Sequence, residues 1–308
     1  MVLKNKKGLF FTFMAILLLA VILIAFLAKS GNTTHNSIQQ SQIKVRSLNA
    51  FVKSLDEVLQ QPLKASGKQT IEAAQQYMFT QGYIPNFASE FSSIIVSGKY
   101  NNELLENMDE FNITNTLNIV KAVATETDVF LTYEDPTPAD IAIQHISPWE
   151  MNVTINLRNI QITDTQSEAT WDMGDKLIST ILFVEDFNDP FSLVQDKVEV
   201  NINQTDIEQF GDIATLQQFI NAHEFLAHTD APSFLQRMSG DFSSSSYGIE
   251  SVLSDEGRNA DAVPTSSFVD FYYWGTRNDA VASCTVPGFP AKFTLDNSHK
   301  EFYTGSPC

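Results

Sequence analysis

Twenty consecutive residues, Leu9 to Ala28, are apolar at every position but Thr12, and no acidic side chain occurs before residue 31. As a helix rising 1.5 Å per residue, such a run reaches about 30 Å, the depth of a bilayer's hydrocarbon core. Its 15 large apolar side chains contribute on the order of −6 kcal/mol towards insertion. The run therefore reads as a transmembrane helix over 9–28, with the lipid bilayer as its partner. Lys4, Lys6 and Lys7 precede it without any carboxylate, and only Lys29 follows closely. That asymmetry places residues 1–8 in the cytoplasm as a short tail and the bulk of the chain outside. The expected localisation is the cell membrane, single-pass, with no cytoplasmic domain through which to signal.

A cleaved secretory signal usually has a shorter apolar region, ~7–15 residues. The length here favours a retained anchor, although Ala28-Lys29-Ser30 offers small residues for a cut near Ser30. A third processing route comes from Lys6-Lys7-Gly8-Leu9, a basic pair and a glycine ahead of an unbroken apolar helix. This segment resembles the leader of type IV pilins and pseudopilins, over residues 4–28. The resemblance implies cleavage after Gly8 with the helix left in the membrane. It departs from the family at Phe13, where pilins commonly carry a glutamate. The segments 231–237 (Ala-Pro-Ser-Phe-Leu-Gln-Arg), 247–251 (Tyr-Gly-Ile-Glu-Ser) and 267–273 (Ser-Phe-Val-Asp-Phe-Tyr-Tyr) resemble membrane-anchored archaeal surface proteins. That likeness brings no catalytic residues with it.

Beyond residue 29, 15 basic residues face 37 carboxylates, a formal charge of −22. Such a surface keeps an exposed domain hydrated and repels nucleic acid, which is not expected as a partner. With 23 Phe, 8 Tyr and 3 Trp in the chain, there is material for a packed core rather than a disordered stalk.

Val45, Leu48, Val52, Leu55 and Leu59 recur at three- and four-residue steps and form one apolar helical stripe. The stripe suits packing on the chain's own domain, or a protein partner. Pro62 is expected to end or kink this helix, giving a juxtamembrane stalk over 29–66. A helical part over 67–127 follows, with helices at 68–81 and 112–125 and weaker ones at 87–96 and 103–111. The pattern changes at Asp128. Met151, Val153, Ile155 and Leu157 alternate with polar residues as a half-buried strand does. Ile160 and Ile162 continue out of phase, so a bulge is expected near Arg158-Asn159. Further strands are expected at 178–184, 198–202, 268–274 and 292–295, and helices at 212–226 and from Pro232 to Met238. The fold class is α+β: transmembrane helix, helical stalk, and a β-rich exterior over 128–308 with an antiparallel sheet.

Cys284 and Cys308 are the only cysteines. Outside the cytoplasm two nearby thiols pair readily, closing the C-terminal tail. Zinc on these sulfurs is not expected, because His299 alone leaves the usual four ligands unfilled. Asn32, Asn112, Asn152 and Asn203 each begin an Asn-x-Ser/Thr sequon, a possible glycan acceptor outside the cell.

No catalytic set, cofactor motif or metal site is organised in the sequence. His223-Glu224-Phe225-Leu226-Ala227-His228 has a five-residue step where zinc peptidases need four, so the two imidazoles diverge on a helix. Asp186-Phe187-Asn188-Asp189-Pro190 lacks the glycine of a calcium loop and suits a turn. Ser243 to Ser246 lack a nucleophile elbow. The run Phe271-Tyr272-Tyr273-Trp274 suits strand and core packing as well as a sugar-stacking face. The function expected is structural or interaction-based, a pilin-like or cell-surface component. The alternative is an anchored hydrolase or metal-dependent ectoenzyme with a site assembled from distant residues.

Overall fold

The computed structural model describes residues 37–164, 170–252, 284–289 and 293–308. Among these residues no helix is long and apolar enough to cross a membrane. The run Leu9–Ala28, the sequon at Asn32 and the aromatic run 271–274 lie outside them.

Helix α1 (Ser37–Gln81) runs 45 residues without a break and carries Pro62 inside it. The expected stop at Pro62 does not occur. Proline forfeits one backbone hydrogen bond and crowds the preceding turn. Leu55, Leu59 and Leu63 are nevertheless buried on both sides of it, and that tertiary burial outweighs the local cost. The segment expected as a stalk over 29–66 and the helix expected at 68–81 therefore share one helix over 37–81. Of the apolar stripe, Leu48, Leu55 and Leu59 are spent on the chain's own core and Val52 packs against it, while Val45 is exposed. Of the two packings the stripe suits, the one on the chain's own domain is seen here.

Helices α2 (Phe87–Ser97), α3 (Met108–Phe111) and α4 (Ile113–Glu126) pack around α1. A hairpin of β1 (Lys99–Tyr100) and β2 (Glu103–Leu104) follows α2, where a helix had been expected from Glu103. Asn101 and Asn102 both sit at positive φ, the geometry of a tight two-residue hairpin turn. Asn112 caps α4 by accepting the Asn115 N–H at 2.9 Å. Between α1 and α4 the Ser66 and Thr116 hydroxyls bond each other at 2.9 Å in the core.

The sheet contains β3 (Val129–Thr132), β4 (Ile141–Ser147), β5 (Glu150–Asp164) and β6 (Thr170–Phe183), all antiparallel. Strand β5 is central. β6 lines one of its edges, and β4 and β3 share the other. Register shifts between Leu157 and Ile160, with Asn159 at φ 52°, form the bulge expected there. The bulge lets Met151, Val153, Ile155, Leu157, Ile160 and Ile162 all be buried despite the change of phase. Helix α1 lies on this face. A Cβ at Gly67 would meet Leu182 at 3.3 Å and Val153 at 3.6 Å, so glycine sets the closest helix–sheet approach.

After the sheet come α5 (Ile213–Ala222), β7 (Leu226–Ala227), α6 (Phe234–Ser239), β8 (Ile249–Glu250), β9 (Cys284–Thr285), β10 (Thr294–Leu295) and α7 (Asn297–Thr304). The strand expected at 198–202 is reduced to a single bridge between Asn188 and Asn201. Helix α5 stops at His223, which takes a left-handed conformation; Leu226 then enters a strand. Helix α6 is capped by Ser233, which exchanges hydrogen bonds with Gln236. A second apolar cluster joins Leu216, Phe219, Ile220, Leu226, Val252, Leu295 and Tyr303.

Candidate metal centre

Three short elements of this second cluster converge on one carboxylate. Strand β7 pairs antiparallel with β8, Leu226 opposite Glu250 and Ala227 opposite Ile249. His228 follows β7 directly, and its N–H donates to the Gly248 carbonyl at 3.0 Å. Only glycine fits at 248, because a Cβ would lie 2.1 Å from the Ala231 oxygen and 2.3 Å from that of His228. This close approach brings segment 247–251 against segment 231–237.

Helix α7 supplies the remaining groups. Asp296 is its N-cap, accepting the His299 N–H on Oδ1 at 3.0 Å. The other carboxylate oxygen of Asp296 bonds Nδ1 of the same histidine. One side chain thus starts the helix and orients the imidazole. His299 and Tyr303, four residues apart, share a helical face. Tyr303 donates its hydroxyl to Glu250 Oε1 at 2.5 Å, and His299 Nε2 lies 3.4 Å from Glu250 Oε2. His228 Nδ1 lies 3.5 Å from the same Oε2. One ligand atom from each of His228, Glu250 and His299 falls within 4.8 Å of the others.

Glu250 is 1% exposed, and a carboxylate buried so deeply needs partners. Burial alone would raise its pKa. The His299 hydrogen bond and charge, with His228 and Tyr303, outweigh that and hold it below the usual range. Burial likewise works to lower His299, but the Asp296 and Glu250 carboxylates overcome it and raise the imidazole to about 10. The protonated chain therefore holds an imidazolium between two carboxylates. With both rings neutral, the same atoms form a two-histidine, one-carboxylate set in which Asp296 fixes the tautomer of a ligating ring.

His223 and His228 do not share a helix, because α5 ends at Ala222 and Leu226–Ala227 is a strand. His223 ends α5, and Glu224 takes the Thr205 hydroxyl hydrogen bond at 2.5 Å. His228 nonetheless belongs to the candidate centre, through partners 22 and 71 residues further along the chain. Its sequence neighbours gave no hint of this. The signal in α7 was readable, namely an Asp cap followed by His and Tyr at one helical spacing. Glu250 was not readable, because only the fold brings it there.

The other singled-out residues go elsewhere. Asp189 accepts from Arg237 Nη1 at 3.0 Å and from Ser192 at 2.8 Å, while Asp186 pairs with Lys68 at 3.2 Å. The Ser245 N–H bonds the Ala231 carbonyl at 3.0 Å as part of a structural loop. Cys284 and Cys308 form a disulfide with Cα atoms 5.7 Å apart. The Cys308 N–H reaches Asn297 Oδ1 at 2.8 Å, holding the start of α7. Among the sequons, Asn203 is exposed and Asn152 is half-buried on the central strand. Asn112 is 9% exposed, and its amide nitrogen donates to the Met108 and Asp109 carbonyls; a glycan on that nitrogen would disturb both bonds. Compared with known proteins, the chain matches no family model, no curated protein and no solved structure.

Proposed function

We propose that this chain is a single-pass, membrane-anchored extracytoplasmic protein with a structural or interaction role, a pilin-like or cell-surface component. One observation carries the reading. The apolar run Leu9–Ala28 is followed, after eight residues, by a helix built into the core of the folded body. A connection of only eight residues keeps a domain mounted on such an anchor close to the membrane. The acid-rich composition and the disulfide between Cys284 and Cys308 support an exterior setting.

Protease added to intact cells is expected to shave the folded body while the lipid-embedded segment survives. Protection of the body, alongside cleavage of a control surface protein, overturns the reading. Mass spectrometry of the N-terminus from purified membranes separates the processing routes. An intact Met1 means a simple anchor, a start at Leu9 means pilin-type cleavage, and a start near Gly31 means release.

A second reading, an anchored metal-dependent hydrolase, is favoured by the convergence of His228, Glu250 and His299. It requires metal-dependent turnover of an ester or peptide probe by the purified chain, and inertness towards such probes removes it.

A further inference from the structure

We infer that His228, Glu250 and His299 bind one divalent transition-metal ion of the zinc class, and that this ion fastens helix α7 to the β7–β8 ribbon. The inference is independent of the anchor reading, since it concerns the folded body alone.

The first argument is spacing. Tetrahedral zinc with bonds of about 2.0–2.1 Å to nitrogen and oxygen holds its ligand atoms about 3.3 Å apart. Glu250 Oε2 stands 3.4 Å from His299 Nε2 and 3.5 Å from His228 Nδ1, two edges of such a tetrahedron. The third pair lies within 4.8 Å, a gap that a small rotation of the partly exposed His228 ring closes. The Asp230 N–H, 3.3 Å from His228 Nδ1, is the competitor that the metal displaces.

The second argument is the support around the ligands. The Asp296 carboxylate on His299 Nδ1 leaves Nε2 as the coordinating atom, and Tyr303 holds the other oxygen of Glu250. These contacts pre-orient two of the three ligands, as the outer partners of metal sites do. The rings of Tyr303, Phe219 and Phe210 pack beside them, Tyr303 against Phe219 at 6.0 Å and against Phe210 at 5.0 Å. His228, whose side chain is 24% exposed, gives the site its opening to solvent and a place for water as fourth ligand.

The third argument is charge and ligand type. Glu250 and Asp296, 1% and 8% exposed, bring two negative charges into the cluster. A divalent ion balances both. Two imidazole nitrogens select zinc-class ions over calcium and magnesium, which take oxygen ligands.

The test is equilibrium dialysis of the untagged full chain, in detergent, against ZnCl2, with the bound metal measured by elemental analysis. One zinc per chain is expected, undiminished by a large excess of CaCl2. Co2+ in place of zinc is expected to give the visible absorption bands of a tetrahedral site. His228→Ala and Glu250→Gln should each weaken binding at least tenfold. Asp296→Asn, which acts through His299, should weaken it by roughly 10–100-fold. His223→Ala serves as the control and should bind as the parent does. Folding of each variant is checked by far-UV circular dichroism. Failure of the parent chain to take up zinc overturns the inference without reference to any variant. So does full retention of zinc by folded His228→Ala.

Discussion

The helix-on-sheet body and the C-terminal cap solve the same problem by different means. Among the described residues the body buries forty apolar side chains in one cluster, drawn from α1 to α4, the sheet, α6, β8 and the segments between them. The cap buries ten, a core too small to be secure without other fastenings. Around those ten stand a disulfide, a carboxylate–imidazole cluster and a glycine pressed against two carbonyls. Where apolar area is plentiful the chain relies on it. Where it is scarce, covalent and ionic staples replace it.

This contrast can be broken most severely from the body. Phe91 is fully buried there, and Phe91→Ala is expected to cost about 4 kcal/mol, with helix and sheet signals lost together in one urea transition. Separate transitions would contradict a single cooperative body.

The next largest effect lies at the joint. Asp189, fully buried, meets Arg237 of α6, whose other nitrogen donates to the Ile249 carbonyl at 2.5 Å. Arg237→Met removes one member and leaves a buried carboxylate, an expected loss of about 3 kcal/mol by urea denaturation. An unchanged midpoint would mean that the joint relaxes around Asp189.

The double change Cys284→Ser with Cys308→Ser tests the cap alone. Opening a loop of 23 intervening residues costs up to about 3 kcal/mol in the chain-entropy account. The loss should fall on the cap, so hydrogen exchange is expected to quicken in α7 while β5 stays protected. Equal acceleration in both would erase the distinction.

The smallest effect is a pH dependence in the body, at His145. Its Nδ1–H donates to the Ser147 carbonyl at 3.1 Å, and Nε2 accepts the Leu235 N–H at 3.3 Å. The ring stacks on Tyr247 at 5.8 Å, and Glu150 sits at the other side of the hairpin. Burial holds the imidazole below its ordinary value of 6.5, against the opposing pull of its backbone partners. With a folded pKa below the unfolded one, protons favour the unfolded chain. The stabilisation is complete above pH 6.5 and is lost as the pH falls from there towards the folded value. The slope is at most about 1.4 kcal/mol per pH unit. His145→Gln is expected to flatten that part of the stability profile, and an unchanged profile would remove His145 as its source.

Legibility in the sequence follows the same divide. The change from helix to strand at Asp128, the Asn112 start of α4 and the bulge at Arg158-Asn159 were readable because burial on one face imposes a period on neighbouring residues. Pro62 misled, since its local penalty is visible in sequence while the burial of Leu59 and Leu63 around it is not. The β1–β2 hairpin was missed because its turn is signalled by paired asparagines rather than by Asn-Gly. In the cap, Glu250 and Tyr303 meet across 53 residues, and no periodicity links them. His228 was read beside His223, its neighbour along the chain, whereas the groups it meets come from β8 and α7.

Helix α1 begins at Ser37, downstream of both Gly8 and Ser30. Whichever peptidase acts, and even if none does, every side chain of the body's core among the described residues survives the cut. Shed and tethered forms would then share one architecture and one melting behaviour, so maturation would change the address of the protein and leave its shape alone.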